Sequence, residues 1–394
     1  MKRMTARKLS KLLAVAFILT FAISGTGISN GDTVDSAGGG MEISDASAIR
    51  RTDTYEYYIS RYKDAARPQI EVEVEVDKYI DTDMDVEILE NFEGSAGKSL
   101  KTDEMGYVTW EVDVPREGLY NLYIEYFPIE GRSASIEREV WINDESPFND
   151  AKHIVFSRVW VNAEEVRRDN RDNDIRPRQV EQPRWQSSYF FDSMGYYNDP
   201  YLFYFKQGKN TLKLVSVKEP MVIKTLKLTQ YSTVPTYEER LREWKEKGYE
   251  VYDGEAIFIQ GESASYKSDP TLYPLNDRTS PNTVPYHKSK IRLNTIGSTN
   301  WQQPGQWIEW KVNVDKEGLY QITIKGRQNI TRGQYSSRRL LINGEVPFRE
   351  VENIPFGFTA LWQNFVLGGE DEPYLFYLKK GENTIRMEVV LGDV

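Results

Sequence analysis

Hydrophobic and polar residues alternate along most of this chain, and a period of two predicts strands. Between positions 308 and 314, Ile308, Trp310, Val312 and Val314 fall on one side while Glu309, Lys311 and Asn313 fall on the other. That is the pattern of an antiparallel strand buried on one face. A turn at Lys316-Glu317-Gly318 leads into a second alternating stretch over 320–324, so the pair predicts a hairpin with a glycine in its loop. Asn343-Gly344 and Lys380-Gly381 mark two more tight turns. Helical spacing marks two short segments. Tyr55, Tyr58, Ile59 and Tyr62 share one helical face, and Thr236-Tyr237-Glu238-Glu239 is a capping box with Leu241 and Trp244 on its apolar side and Gly248 as the stop.

The chain is one unit written twice. The stretch Val108–Tyr120 matches Ile308–Tyr320 nearly position by position at an offset of 200, and Trp141–Phe148 matches Leu341–Phe348 at the same offset. Further on, Asp199–Tyr204 recurs as Glu372–Tyr377 and Lys209–Leu212 as Glu382–Ile385 at an offset of 173. Copy one therefore carries an insertion of about 27 residues between Phe156 and Asp199. The two helical segments align at an offset of 182, so the repeated unit is a helix followed by a β-domain. Short alternating strands with such turns predict an all-β protein of two tandem antiparallel jelly-roll β-sandwich domains, each preceded by a short helix. The expected layout is a signal peptide over 1–27, a flexible tether over 28–50 and a helix over 51–67. A first sandwich follows over 68–233, then a connector helix over 234–250 and a second sandwich over 251–394. Copy one continues past Val217 into a strand over 219–231 that would close its sandwich, whereas the sequence of copy two stops at Val394. Either a different strand closes the second sandwich or this sequence is part of a longer one, and the second is the expectation. An unclosed sandwich leaves an exposed edge and apolar surface.

Lys2, Arg3, Arg7, Lys8 and Lys11 precede the apolar run Leu12–Ile23 and a small-residue stretch at 24–27, which reads as an export signal too short to span a bilayer. A secreted protein at a bacterial cell surface is expected, with no membrane span in the mature chain. There is no cysteine, which excludes disulfides, a cysteine nucleophile and thiolate metal sites. A formal charge of −10 argues against nucleic acid as a partner. The 25 tyrosines lift the aromatic share to 13%, and rings with an apolar face and a polar edge suit binding surfaces.

Catalytic groups are scarce. His153 and His287 are the two histidines, neither at metal-motif spacing with the other, and no Gly-x-Ser-x-Gly elbow accompanies them. With 60 acidic residues, a chance carboxylate pair carries no information. No enzymatic activity is expected. In the copy-one insertion, Asn170, Asp172, Asp174 and Glu181 have an EF-hand-like spacing, but Ile175 replaces the turn glycine and arginines crowd the segment, so a solvated ion-pair loop is expected. The same long insertion reads as a functional loop whose flanking Trp160 and Trp185, with Tyr197 beyond, would present aromatic surface at the sandwich rim. In copy two, Asn300, Trp301 and Tyr286 lie on loops, and Arg327 and Asn329 follow the next hairpin strand. Aromatic faces that stack on sugar C–H groups, beside amides and arginines that satisfy hydroxyls, make these candidate ligand-binding residues. Trp310, Tyr320 and their counterparts Trp110 and Tyr120 fall on the buried face and are expected in the core.

The stretch Gly305–Tyr320 resembles the signature hairpin of family 6 and family 35 carbohydrate-binding modules, which are galactose-binding-like sandwiches. Ile259-Gln260-Gly261-Glu262 sits where those modules begin with a Glu-containing strand that holds a structural calcium, so the resemblance implies Glu262 as a metal ligand; no other cofactor is expected. Residues 169–174, 273–278, 289–297 and 373–377 make the region from about Arg50 onward similar to the N-terminal part of extracellular solute-binding proteins of Gram-positive sugar ABC transporters. The resemblance implies non-catalytic binding of oligosaccharide or polysaccharide and a transporter permease as partner. The two-lobed solute-binding domain of that family is missing here. The alternatives are a structural module that positions a solute-binding domain at the cell wall, and an accessory region of a polysaccharide-degrading enzyme.

Overall fold

Each module starts with a helix whose tyrosines pin it to a strand. In the computed structural model, which describes residues 52–392, the first helix is α1 (Tyr55–Arg61) and the second α2 (Tyr237–Glu246). Thr54 and Thr236 cap them, the latter in a complete capping box with Glu239. The hydroxyl of Tyr55 accepts from the Leu202 N–H (3.0 Å), and that of Tyr237 accepts from the Leu375 N–H (3.0 Å), so the repeat extends to individual hydrogen bonds. The expected signal peptide and tether lie outside the described residues.

The first module has sixteen strands: β1 (Val72–Val74), β2 (Tyr79–Thr82), β3 (Glu87–Glu90), β4 (Lys98–Thr102), β5 (Gly106–Val114), β6 (Gly118–Pro128), β7 (Ile136–Ile142), β8 (Ile154–Phe156), β9 (Trp160–Asn162), β10 (Arg167–Arg168), β11 (Asp174–Ile175), β12 (Gln179–Glu181), β13 (Gln186–Tyr189), β14 (Leu202–Phe205), β15 (Gly208–Lys218) and β16 (Met221–Thr229). One layer runs β2-β5-β15-β7-β8. The other runs β13-β6-β16-β4-β3, with β14 also on β6 and β1 also on β16. Every pairing is antiparallel. Trp110, Val112, Leu212 and Val140 from the first layer meet Leu122, Ile124, Leu226 and Leu228 from the second in one buried core. This is a β-sandwich, and period-two patterning built it: β6 and β16 each send alternate side chains inward.

The second module contains β17 (Tyr266–Lys267), β18 (Trp307–Val314), β19 (Gly318–Gln321), β20 (Thr323–Gly326), β21 (Ser336–Ile342), β22 (Ile354–Phe356), β23 (Gln363–Val366), β24 (Leu375–Leu378) and β25 (Gly381–Val390). Its first layer matches that of the first module, with β18-β25-β21-β22 in place of β5-β15-β7-β8. Its second layer consists of β19 on β24 and β20 on β23. Among the described residues, no counterpart of β16, β4 or β3 follows on the far side of β19–β20.

The insertion in copy one does not stand free at a rim. Its strands β9 and β12 extend the first layer of the second module, giving the seven-stranded order β12-β9-β17-β18-β25-β21-β22 across both modules. The two modules belong to one compact unit. Asp174 N–H donates to the Ile291 carbonyl (3.0 Å), Arg292 binds Asp172 (2.8 Å) and Asp174 (3.4 Å), and Arg176 lies over the Tyr273 ring (3.9 Å). Asp172 and Asp174 also hold Arg168, so the EF-hand-like spacing is an ion-pair loop. Lys267 is buried in the shared sheet, with its ammonium donating to Asn162 Oδ1 (2.7 Å) and Gln179 Oε1 (2.5 Å). Burial without a carboxylate partner holds its pKa down to about 8.

The interface also changes the outer face of β18, expected to be polar and solvated. Trp307 and Glu309 on that face are buried. Glu309 takes ion pairs from Arg184 of the first module (3.0 Å) and Arg386 of β25 (2.6 Å), while the Trp307 indole donates to Ser157 Oγ (3.3 Å). A strand patterned for one buried face acquires a second because a neighbouring module covers it.

Candidate functional site

At one end of the second module, β20 stops at Gly326 and delivers Arg327 onto the 277–286 loop. The Arg327 guanidinium reaches Asp277 Oδ2 (2.7 Å) and Thr279 Oγ1 (2.7 Å) and lies over the Trp362 ring (5.1 Å). The Trp362 indole N–H donates to the same Asp277 oxygen (3.2 Å). The other oxygen of Asp277 accepts from the Thr279 backbone and hydroxyl, both at 2.6 Å. Burial alone would raise the Asp277 pKa. The hydrogen bonds from Thr279, with the Arg327 charge and the Trp362 N–H, outweigh it and hold the carboxyl below its ordinary value. Asn294 ties the loop down, accepting from the Asp277 N–H (2.8 Å) and donating to the carbonyls of Asp277 (2.9 Å) and Pro285 (2.9 Å).

Two further loops border this cluster. Gln328 binds Thr331 and Gln334 carbonyls (2.9 and 3.1 Å) and accepts from Ile330 and Thr331 N–H groups, which fixes the 328–335 loop. The Thr359 N–H donates to the Gln328 carbonyl (2.7 Å), which joins the 357–362 loop to it. These fixed loops carry exposed apolar side chains: Tyr335 is 72% exposed, Leu361 71%, Ile330 62% and Tyr286 41%. Rigid polar groups beside solvent-facing rings form a surface that can order hydroxyl groups and stack on apolar faces at once.

The candidates read from sequence divide. Arg327 stands at the centre of this cluster, Tyr286 is exposed on its 277–286 loop and Asn329 is exposed on the 328–335 loop. Trp301 and Asn300 are committed elsewhere. The Trp301 ring is half-buried between two apolar clusters, with Arg338 over one face (4.2 Å) and its N–H on the Gln306 carbonyl (3.2 Å), and the Asn300 amide donates to the Thr271 carbonyl (3.0 Å). Trp160, expected at a rim, is buried in the shared sheet opposite Lys267 and Glu181, which leaves it no open face. Trp185 packs edge-on against Phe127 (5.4 Å) and Phe92 (6.2 Å), and Tyr197 packs edge-on against Tyr55 (4.9 Å). Asp277, Thr279, Trp362 and Tyr335 went unnoticed in the sequence. A lone tryptophan in an irregular stretch between two short strands was the available signal for Trp362.

Glu262, expected as a calcium ligand, is 9% exposed, and burial pushes its pKa up to about 7. A calcium ion needs several oxygen ligands and carboxylate charge to offset its dehydration. Among the described residues no group of three or more acidic, histidine or cysteine side chains could hold a metal ion. Glu262 alone does not fit that role.

No family model matches the sequence, and no curated protein does. Solved structures that resemble it include carbohydrate-binding modules of families 35 and 6. A family 35 module from Clostridium thermocellum aligns at 13% identity and a TM-score of 0.24, over 41% of this chain and 99% of its own. The C-terminal family 6 module of a laminarinase from Zobellia galactanivorans aligns at 10% identity and a TM-score of 0.25, over 41% of this chain and 100% of its own. A family 35 module solved with a disaccharide containing glucuronic acid aligns at 16% identity and a TM-score of 0.23, over 39% of this chain and 88% of its own. Likeness at this level leaves the ligand open.

Proposed function

We propose that this protein is a non-catalytic carbohydrate-binding protein that engages oligosaccharide or polysaccharide at the loop end of its second module. One observation carries the reading: exposed Tyr286 and Tyr335 occur on the loops that border the rigid Asp277–Thr279–Arg327–Trp362 cluster. A sugar presents C–H faces that stack on aromatic rings and hydroxyls that need oriented donors and acceptors. Fixed loops lose little entropy when such a ligand docks. The finer reading, a secreted protein of a bacterial surface that serves as the N-terminal part of a transporter's sugar-binding component, rests on the sequence resemblance and the basic-then-apolar N-terminus. Affinity electrophoresis against a panel of soluble polysaccharides tests the binding. The wild-type chain is expected to be retarded by at least one glycan, and Tyr335→Ala and Asp277→Asn to lose most of that retardation. Retardation that survives both changes would refute the site.

The shared sheet favours a second reading, a rigid spacer. Strands β9 and β12 lock the modules together, which suits a part that holds something at a set distance. A chain that binds no glycan on the panel yet keeps its inter-module hydrogen bonds would favour the spacer.

A further inference from the structure

In the first module β16 fills a slot in the second layer. It pairs with β6 on one side, Leu226 opposite Ile124 and Leu228 opposite Leu122, and with β1 and β4 on the other, Leu226 opposite Val74 and Leu228 opposite Val72. In the second module both walls of that slot are present, and among the described residues no strand pairs between them.

One wall is β19–β20. Leu319 donates its N–H to the Glu250 carbonyl (2.8 Å) and accepts from the Tyr252 N–H (2.9 Å), so odd positions of this strand face away from β24 and β23. Gln321, Thr323 and Lys325 continue that row. All three are exposed, and among the described residues their backbone groups have no hydrogen-bonded strand on that side. Between them Ile322 and Ile324 are half-buried against the core.

The other wall is the stretch after α2. Two anchors fix its correspondence with the first module. Leu119 N–H binds the Ala66 carbonyl as Leu319 N–H binds that of Glu250, and the Trp110 indole binds the Val76 carbonyl (3.0 Å) as the Trp310 indole binds that of Gly261 (2.8 Å). Between the first pair of anchors runs β1, paired with β16, where Val74 is 6% exposed. Between the second pair runs Ala256-Ile257-Phe258-Ile259, unpaired, with Phe258 91% exposed. A third feature points the same way. Glu219 turns β15 into β16 with a φ of +64°, and its counterpart at the offset of 173, Gly392, has a φ of +81° at the end of β25.

We infer that this slot receives an added β-strand, antiparallel to β19–β20, with the chemistry of Met221–Thr229: apolar residues at the inward positions and lysine or threonine between them. The template is internal, since Met221, Ile223, Leu226 and Leu228 fill the corresponding space in the first module and the backbone row of β6 pairs with that strand. A second copy of this chain cannot supply its own β16, which is already central in its sheet. Strand addition satisfies the backbone row while the alternate side chains fill the core, so it is selective for the pattern.

The test uses the full chain and a labelled synthetic peptide of the sequence 219–231. Saturable binding with one peptide per chain is expected by fluorescence anisotropy. Amide exchange at 256–259, Gln321, Thr323 and Lys325 slows by about tenfold or more. A peptide with aspartate in place of Leu226 and Leu228 does not bind. In the protein, Thr323→Pro removes a donor that faces the slot and abolishes binding, while protection of α2 reports that the module is still folded. Failure of the peptide to bind, with exchange at these amides unchanged when it is added, overturns the inference. So does protection already present without peptide, and so does protection that rises with protein concentration alone, which would assign the slot to edge-to-edge pairing of two copies.

Discussion

Strand β6 and its counterpart β19–β20 have closely similar patterns but lie in different surroundings. Leu122 and Ile124 are fully buried, whereas Ile322 and Ile324 two hundred residues later are half-buried. Trp110 is buried, whereas Trp310 in the same position of β18 is half-buried. The difference is β16 with its neighbours β3 and β4, which have no counterpart among the described residues of the second module. A strand's inward face becomes core only when a second strand closes over it, so alternation specifies which residues can be buried and the partner decides which are. The same absence governs charge. In the first module Asp77 pairs with Lys98 of β4 (2.7 Å), which holds its carboxyl below the ordinary range. The aligned Glu262 follows the Trp310 anchor just as Asp77 follows the Trp110 anchor, has no ion pair with a lysine among the described residues, and burial pushes it up to about 7.

The largest way to disturb this contrast is to attack the turn that starts β16. Glu219 is buried, accepts from the Arg132 and Ala134 N–H groups, and pairs with buried Arg158 at 2.5 Å. Glu219→Ala would leave Arg158 with Glu181 (2.9 Å) as its remaining carboxylate and strip both backbone N–H groups of their acceptor, and chemical denaturation is expected to show a loss of about 3–5 kcal/mol. Next comes the core beneath the closing strand. Leu122→Ala is expected to cost about 2–5 kcal/mol, and Ile322→Ala about 1 kcal/mol because its site is already half open. Equal losses would show that the second module is closed in solution.

The charge contrast is read by pH. The Glu262 pKa in the folded chain lies above its unfolded value of about 4.3. Its proton therefore favours the fold below about pH 4, and that contribution is lost as pH rises through 7. Glu262→Gln is expected to be more stable than wild type by about 3 kcal/mol at pH 8, with the gap closing by pH 4. A gap independent of pH would break the argument. The smallest effect falls where the modules agree. Thr236→Ala removes the cap of α2 and is expected to lower stability by about 1 kcal/mol in thermal melts, much as the cap of α1 would.

Part of the candidate site could be read from the chain. Arg327 and Asn329 were marked by their place after a hairpin strand, and Tyr286 by its place on a loop. Asp277 and Thr279 were not, because an aspartate followed two residues later by threonine reads as an ordinary turn until Arg327 and Trp362 are brought to it from 50 and 85 positions away. The tryptophans favoured by sequence lie outside this cluster for the opposite reason. Trp160 and Trp301 look free on loops, yet other segments cover them.

The sequence by itself determined the duplication, the strands, their turns and the helices that open each module, because alternation, capping residues and glycine turns act over a few neighbouring positions. Tertiary structure alone decided that the insertion joins the sheet of the other module and that Glu309 and Lys267 are buried there. Each of these depends on which distant backbone reaches a given edge, and a strand presents the same alternation whether or not anything arrives.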